Sequence, residues 1–397
     1  MDYNMQYSMQ YNIDNKTGNK LSVLGFGCMR FPLDRKKTEQ LIVAAVNAGV
    51  NYFDTAYVYG NSESVLGEIL SSNSIRDKIY LATKLPHQRC HNYEDFDKLF
   101  QVQLKRLKTD HIDYYLIHNI SETVSWQRLC DIGIVDWIAD KKANGHISRI
   151  GFSFHGAQDG FMELLDAYDW DFCQIQYNYM DENYQAGRAG LRKAHEKGMP
   201  VIIMEPLLGG KLANGLPPKA TRLFRNANEE RSPASWALSW LWNQPEVSVV
   251  LSGMNSMDQL NDNLATAMTA KPGMLSEAEA AVFAPVISSF REAYKVPCTG
   301  CNYCMPCPHR VNISGCFAAY NTYCTMGLIP GFTQYITGTG ANHPEKQTMA
   351  RNCVGCGACE EKCPQHIGIA KALKDVKKRM EPFWLDAALW IARKLIT

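Results

Sequence analysis

Residues 54–60 read DTAYVYG. They follow a mostly apolar run, Val50 to Phe53, that reads as a buried strand. The turn therefore carries a carboxylate, Asp54, five positions before a phenol, Tyr59. A phenol is a poor acid near neutral pH, with a pKa of about 10. It gives a proton to a carbonyl oxygen only where neighbours stabilise its anion, and a nearby ammonium does so. A lysine at the end of a later strand meets that need: Lys84 closes IYLATK. A group to orient the substrate oxygen is expected in a similar place, and His118 closes YYLIH. Each residue alone has an ordinary reading: a helix cap for Asp54, a packed loop aromatic for Tyr59, a surface charge for Lys84, a core histidine for His118. Four such residues at or just past successive strand ends point to one site.

Working outward, eight strand-like runs are expected: Val23–Arg30, Tyr52–Ala56, Ile79–Leu85, Tyr114–Ile120, Arg149–Phe154, Phe172–Asn178, Val201–Leu207 and Val247–Gly253. Helical patterns such as Thr38–Ala48, Ser62–Leu70, Tyr93–Leu107 and Gly187–Lys197 lie between them. Eight strand–helix units in about 250 residues predict a closed parallel barrel, with active-site residues at the C-terminal strand ends. An open doubly wound sheet would place its phosphate site on a GxGxxG turn. The run LGFG at Leu24–Gly27 has the wrong spacing for one. The residues up to about Lys20 are expected to form a hairpin over the barrel floor.

In order along the chain, DTAYVYGNSE, ATK, LIH, GFSFH, QIQYN, EPLLGG and DQLNDNL resemble the landmarks of the aldo/keto reductase family, over roughly residues 15–285. The resemblance implies a barrel that reduces carbonyls with a nicotinamide cofactor and holds no metal in the barrel. It implies Tyr59 as general acid, Lys84 paired with Asp54 to lower its pKa, and His118 to orient the carbonyl. The cofactor-binding set it implies is Ser153, Gln176, Leu207, Gly253, Gln259 and Asn263. Ser153 and Gln176 match positions that hold the nicotinamide carboxamide, and Asn263 keeps an adenine-side match. The pocket also departs from the family pattern. Phe154 stands where an asparagine is usual, Met204 where an aromatic stacks on the ring, and Gly253 and Gln259 where a basic pair grips the 2′-phosphate. A phosphate dianion without cations loses charge-assisted partners. NAD(H) is therefore expected to compete at least equally with NADP(H).

The chain has 397 residues, enough for one large domain and a smaller one. Its formal net charge of +1 gives no electrostatic case for nucleic acid or a membrane surface. No apolar run reaches the ~20 residues of a membrane span. The opening MDYNMQYSMQYNIDN lacks the basic start and apolar core of a signal peptide, so a cytoplasmic protein is expected. Ten of the 14 cysteines lie after residue 297. The other four, Cys28, Cys90, Cys130 and Cys173, read as small core or surface residues.

Cys298, Cys301, Cys304 and Cys307 are spaced C-x2-C-x2-C-x2-C-P, and Cys353, Cys356, Cys359 and Cys363 C-x2-C-x2-C-x3-C-P. Short spacers let three thiolates of one loop reach one cubane, while the cysteine before proline turns to the other cluster. One [4Fe–4S] cluster is thus assigned Cys298, Cys301, Cys304 and Cys363, the other Cys353, Cys356, Cys359 and Cys307. A pair of zinc ribbons is the alternative, but a single zinc needs neither the third C-x2-C step nor the CP. Cys316 and Cys324 are off register and read as structural. The stretch resembles the dicluster ferredoxin-like domain attached to one branch of aldo/keto reductases.

The expected fold class is α/β, a (β/α)8 TIM barrel over 1–285 with a C-terminal, mainly α-helical ferredoxin-type iron–sulfur domain over 286–380. An amphipathic helix over 381–397 is expected to pack on the barrel or on a second subunit of a homo-oligomer. KALKDVKKRM reads as a solvated basic face or a dock for an acidic electron carrier such as ferredoxin. Three functions are carried forward. The first is an oxidoreductase acting on a small-molecule carbonyl, its clusters exchanging electrons with a partner. Because a hydride carries two electrons and a cluster takes one, direct exchange needs a go-between such as a flavin, for which no signature stands out. The second is a nicotinamide-dependent reductase with structural clusters. The third is an electron-transfer or sensor module on a degenerate barrel.

Overall fold

The computed structural model describes residues 8–341, 345 and 347–396, with side chains described as far as residue 390. A short antiparallel hairpin comes first, β1 (Tyr11–Ile13) and β2 (Lys20–Ser22). Eight parallel strands follow: β3 (Leu24–Gly27), β4 (Tyr52–Asp54), β5 (Tyr80–Leu85), β6 (Ile112–Ile120), β7 (Ile147–Phe154), β8 (Phe172–Gln176), β9 (Val201–Met204) and β10 (Val249–Ser252). They close into a barrel in chain order, with β10 hydrogen-bonded to β3. Several end earlier than their apolar runs suggest, because the chain leaves β4 after Asp54, β8 after Gln176 and β9 after Met204 to enter the βα loops. Helices cover the sheet as expected, among them Arg35–Asn47, Ser62–Ser72, Tyr93–Leu107 and Gly187–Glu196.

Period-two alternation divides each strand between two cores. Phe53, Leu81, Leu85, Tyr115, Ile117, Phe152 and Ile175 join the layer between strands and helices. Tyr52, Ala82, Tyr114, Leu116, Phe172, Ile202, Val249 and Leu251 fill the lumen. Gly25 in β3 belongs to this inner set. A Cβ there would stand 2.7 Å from Leu251 and 2.8 Å from Val249, so the LGFG glycine makes room for the lumen side chains.

The hairpin supplies the floor. Asp14, buried between β1 and β2, accepts a hydrogen bond from the Tyr114 hydroxyl at 3.1 Å. It also pairs with Arg149 of β7 at 3.4 Å. Arg149 in turn donates to Asp171 at 3.1 Å.

The chain divides into two compact units, the barrel as far as Leu207 with Arg231–Ala280, and Leu208–Glu230 with the residues from Ala281 onward. A sequence boundary near 285 leaves 208–230 with the barrel. In the structure its helix Pro218–Ala227 instead packs on helix Phe283–Ala293, where Phe224 meets Phe283 edge-on at 5.6 Å. The segment has no strand to enter the sheet, and its apolar side chains find partners among the C-terminal helices.

The second unit has its own core, which includes Val296, Phe317, Tyr335, Leu373 and Met380. Helices Ile313–Met326 and Leu328–Thr339 form its centre, followed by Ile369–Met380 and Leu385–Ile396. Buried Asn321 accepts from Lys295 N and Val296 N, both at 3.0 Å, and donates to Val296 O at 2.7 Å, which pins the chain just before Cys298. The last helix was expected to pack on the barrel or on a second subunit. Its Leu385 and Leu389 are buried in this unit's own core, and Arg351 holds its Asp386 at 2.8 Å.

Removing the floor carboxylate should be costly, because it leaves Tyr114 and Arg149 short of a buried partner. Asp14→Ala is expected to destabilise the protein by about 2 kcal/mol in urea denaturation. An unchanged midpoint contradicts the role given to the hairpin.

Candidate functional site

The alternation that fills the lumen also builds the site. Tyr52 and Asp54 share one face of β4, Ala82 and Lys84 one face of β5, and Tyr114 and Leu116 the inner face of β6. Asp54 and Lys84 thus stand one step above the apolar plug, at the C-terminal end of the barrel. Lys84 Nζ donates to both Asp54 oxygens, at 2.6 and 2.7 Å, and to Thr55 O at 2.7 Å. All three ammonium hydrogens are therefore engaged. Burial pushes the Lys84 ammonium below the ordinary lysine range, and the Asp54 carboxylate pulls it back up. Burial likewise raises the Asp54 carboxyl, against the pull of Lys84. Short charge-assisted bonds on both oxygens keep the pair ionised.

Tyr59 lies half-buried in the β4 loop, with Lys84 Nζ 5.0 Å from its ring centre. His118 meets the same ring edge-on at 5.9 Å. His118 sits where β6 loses register with β7, between Ile117 and Ile120. Ile117 and Ile120 both face the outer core, three positions apart instead of two, so the extra residue re-aims the chain at His118–Asn119. Asn119 has φ 53°, and its N–H donates to Ser153 Oγ at 2.8 Å. The structure brings Asp54, Tyr59, Lys84 and His118 together.

The expected cofactor residues are more dispersed. Ser153 is buried on β7 and keeps its hydroxyl hydrogen after accepting from Asn119. Gln176 donates to Asp181 at 2.9 Å. Met204 ends β9 half-buried, its sulfur 3.5 Å from the Gln174 amide. Leu207 is half-buried in the loop beyond it. Phe154 lies in the outer core against Phe161 at 5.0 Å, so that position is spent on packing. Gly253 follows β10. Gln259, in helix Met257–Ala267, accepts from Asn255 N at 2.9 Å, and Asn263 donates to Ser252 Oγ at 2.7 Å. The stretch 253–263 carries Asp258 and Asp262 and no cation.

Sequence reasoning missed a layer of support. Glu63, fully buried, accepts from Thr83 Oγ1 at 2.7 Å, Gln103 Nε2 at 2.8 Å and Arg106 at 3.0 Å. Gln103 also donates to Lys84 O at 3.1 Å. This network clamps the backbone that carries the lysine. Its signal was the glutamate ending DTAYVYGNSE. His87 and His155 were also overlooked. His87 receives an Arg128 N–H at 3.4 Å, and His155 Nδ1 lies 3.2 Å from Gln185 Oε1. Burial, then the Lys84 charge, then His155 and His87 hold His118 well below the usual histidine value.

In the second unit the thiols fall into two groups. Burial, then the neighbouring Cys298, Cys301 and Cys363, push Cys304 up to about 12. Burial raises Cys359 too, and Cys353 and Cys307 stand among its electrostatic neighbours. Cys307, Cys353, Cys356 and Cys359 line one cavity. These groups match the crossover pairing expected from the spacing, and two all-thiol sets of four suit cubane iron–sulfur clusters. Among the described residues, no three His, Cys, Asp or Glu side chains close around a single-ion position. Cys316 is buried in the core, and Cys324 is half-buried. Among the described residues no helix is long and apolar enough to cross a membrane.

The sequence model of the aldo/keto reductase family matches residues 23–272, and that of a 4Fe-4S dicluster domain matches residues 297–367. The uncharacterized oxidoreductase YrpG of Bacillus subtilis is 25% identical over 299 residues, 63% of this chain and 88% of that protein. Protein tas of Escherichia coli is 25% identical over 310 residues, 62% of this chain and 89% of that protein. In fold, the chain resembles the aldo-keto reductase AKR11C1 from Bacillus halodurans in its holo form. That match has a TM-score of 0.58 at 24% identity and covers 70% of this chain and 96% of the other.

Burial and neighbouring charge hold His118 and His87 below the usual histidine value, His87 being lowered to about 4 by burial and by Arg128. Unfolding frees both to bind protons below about pH 6.5. Stability from this source is complete above that pH and is lost as pH falls toward about 4. Ring-nitrogen NMR at about pH 6 is expected to show both as neutral imidazoles. A protonated His118 at that pH contradicts the burial argument.

Proposed function

The chain belongs to the aldo/keto reductase family and carries a 4Fe-4S dicluster domain after its barrel, and from that premise we propose the following activity. The barrel reduces a carbonyl or related small molecule with Tyr59 as general acid, and two [4Fe–4S] clusters exchange single electrons with a partner. The observation that carries this reading is the Lys84 ammonium, buried with Asp54 and 5.0 Å from the Tyr59 ring centre.

The substrate oxygen lies between Tyr59 and His118. Tyr59 O–H donates its proton to that oxygen as negative charge builds there. Lys84 cannot offer Tyr59 a further hydrogen bond in this arrangement, so it acts through its field, which low dielectric strengthens. Asp54 keeps the ammonium charged and aimed. Neutral His118 offers a ring N–H and orients the carbonyl without adding a competing charge. Glu63 and Gln103 hold the Lys84 backbone in register.

A nicotinamide, when bound, supplies the hydride. Ser153 and Gln176 would hold its carboxamide, Met204 would pack on its ring, and Leu207, Gly253, Gln259 and Asn263 would line the rest. The carboxylates of Asp258 and Asp262, with no cation between 253 and 263, favour NADH over a nucleotide bearing a 2′-phosphate. Cys298, Cys301, Cys304 and Cys363 would hold one cluster, and Cys307, Cys353, Cys356 and Cys359 the other. All 14 cysteines are free of disulfides, which supports residence in the cytoplasm. A second reading keeps the clusters purely structural. Its support is the packing of Cys298, Cys304, Cys307, Cys353, Cys359 and Cys363 against the unit's apolar core.

Tyr59→Phe is expected to slow reduction of any carbonyl the wild type turns over by about 10²–10⁴-fold, with nucleotide affinity unchanged. Unchanged turnover removes Tyr59 as the acid. In titrations, NADPH is expected to bind no tighter than NADH. A preference for NADPH of about a hundredfold, ~2.7 kcal/mol, contradicts the pocket reading.

A further inference from the structure

The two thiol sets differ in how they meet solvent. The loop that carries Cys353, Cys356 and Cys359 is open. Cys356 is exposed, and Val354 is 64% exposed. Gly355 and Gly357 have φ of 76° and 80°, and a Cβ on either would meet nothing within 4 Å. The loop that carries Cys298, Cys301 and Cys304 is covered on one side, at Thr299, while Asn302 is exposed and a Cβ on Gly300 would meet nothing within 4 Å. Thr299 is 5% exposed, and the segment after Leu207 presses on it. A Cβ on Gly209 would fall 2.3 Å from Thr299 O, and Lys211 donates to Cys298 O. A protein that delivers electrons one at a time must bring its own redox centre close, and of the two sets only the first has an exposed cysteine, Cys356.

The open set has a charged border. Its cavity is lined by Cys307, Cys353, Cys356 and Cys359 together with Ala370 and Leu373 of helix Ile369–Met380. On that helix Ile369, Leu373, Val376 and Met380 form the buried stripe. Lys374 and Lys377 share the flank of Ala370, at i+4 and i+7, and both are exposed. The helix carries five cations, Lys371, Lys374, Lys377, Lys378 and Arg379, against one carboxylate, Asp375. The whole chain has a formal net charge of only +1, so this concentration is local.

We propose that the set Cys307, Cys353, Cys356 and Cys359 is the electron port of the second unit, and that the Lys374–Lys377 flank docks an acidic one-electron carrier protein over it. This rests on the electron exchange put forward under Proposed function, and adds which set and which face perform it. The carrier's carboxylates pair with the lysines at the rim, which steers encounter and permits a weak, fast-releasing complex. In each transfer one electron leaves the reduced carrier and one oxidised cluster is reduced by that electron. No bond forms or breaks and no proton moves.

The test uses the full-length, iron-replete protein under anaerobic conditions. A recombinant acidic bacterial ferredoxin serves as probe, and its binding is followed by fluorescence anisotropy across a salt series. Lys374→Glu/Lys377→Glu is compared with the charge-matched Arg222→Glu/Arg225→Glu on helix Pro218–Ala227. Iron content and the extent of reduction by dithionite serve to show that both variants retain their clusters. The flank variant is expected to lose at least about tenfold in affinity at low salt and to flatten the salt dependence. Reduction by the photoreduced ferredoxin is expected to slow in parallel, while the control stays near wild type. If ferredoxin binds and reduces the flank variant as well as wild type, electron exchange stands and this surface is wrong. If dithionite reduces wild type but ferredoxin neither binds nor reduces it, the exchange reading falls and the port with it. Capture of phosphatidylglycerol vesicles through these lysines, without ferredoxin binding, overturns the proposal in favour of a lipid surface.

Discussion

A lysine with almost no solvent contact must be paid for, and in this barrel the compensation is the Asp54 carboxylate. Taking either charge out of water alone costs several kcal/mol. Two bonds to the carboxylate and one to Thr55 O offset that cost and leave the ammonium fixed in a region of low dielectric. Everything nearby follows from holding that group still. β4 and β5 must be neighbours in parallel register, which places Asp54 opposite Ala82 and Lys84 one step above it. The lumen beneath must be filled, or water would reach the pair. Tyr52, Tyr114 and Phe172 fill it, with Tyr114 meeting Phe172 edge-on at 5.1 Å. Below that plug, Asp14 and Arg149 close the other end.

Much of this was legible in the sequence, because it is written in short-range patterns. Strand runs that carry Asp54, Lys84 and His118 at or near their C-terminal ends show both the period of the sheet and the polar residues at its rim. The cysteine spacing was equally plain, since a cubane demands short spacers and a diverging fourth thiolate. What was hidden depends on contacts between residues far apart. Glu63, Gln103 and Arg106 meet only when helices Ser62–Ser72 and Tyr93–Leu107 pack together. The irregularity at His118–Asn119 shows itself only when β6 is laid against β7. The segment 208–230 has no pattern that names its partner. The last helix announced an apolar face, but amphipathicity alone cannot say which core that face enters.

The chain joins two chemistries with different demands. The barrel half groups Asp54, Tyr59, Lys84 and His118 at its C-terminal strand ends, while Phe154, Met204, Gly253 and Gln259 differ from the pattern that the family resemblance implies for a cofactor pocket. Phe154 illustrates why. Alternation along β7 sends Ser153 inward and Phe154 outward, and the outward position serves the core against Phe161 instead of a ligand. Adjacent residues of β7 thus face opposite ways, one into the barrel and one into the outer core. The second unit shows the same economy, since its thiols lie on loops anchored by a core of their own, with Asn321 fixing one loop and Glu360 accepting from Ala370 N behind the other.

The claim on which the rest depends is that Lys84 works through Tyr59. A double-substitution cycle on the rate of carbonyl reduction tests it, with Lys84→Met, Tyr59→Phe and the two combined. If the residues form one proton-donating unit, the combined variant is no slower than the slower single variant, because removing the phenol leaves the ammonium nothing to act on. If the two losses multiply, Lys84 serves the reaction by another route and the account of the site is wrong.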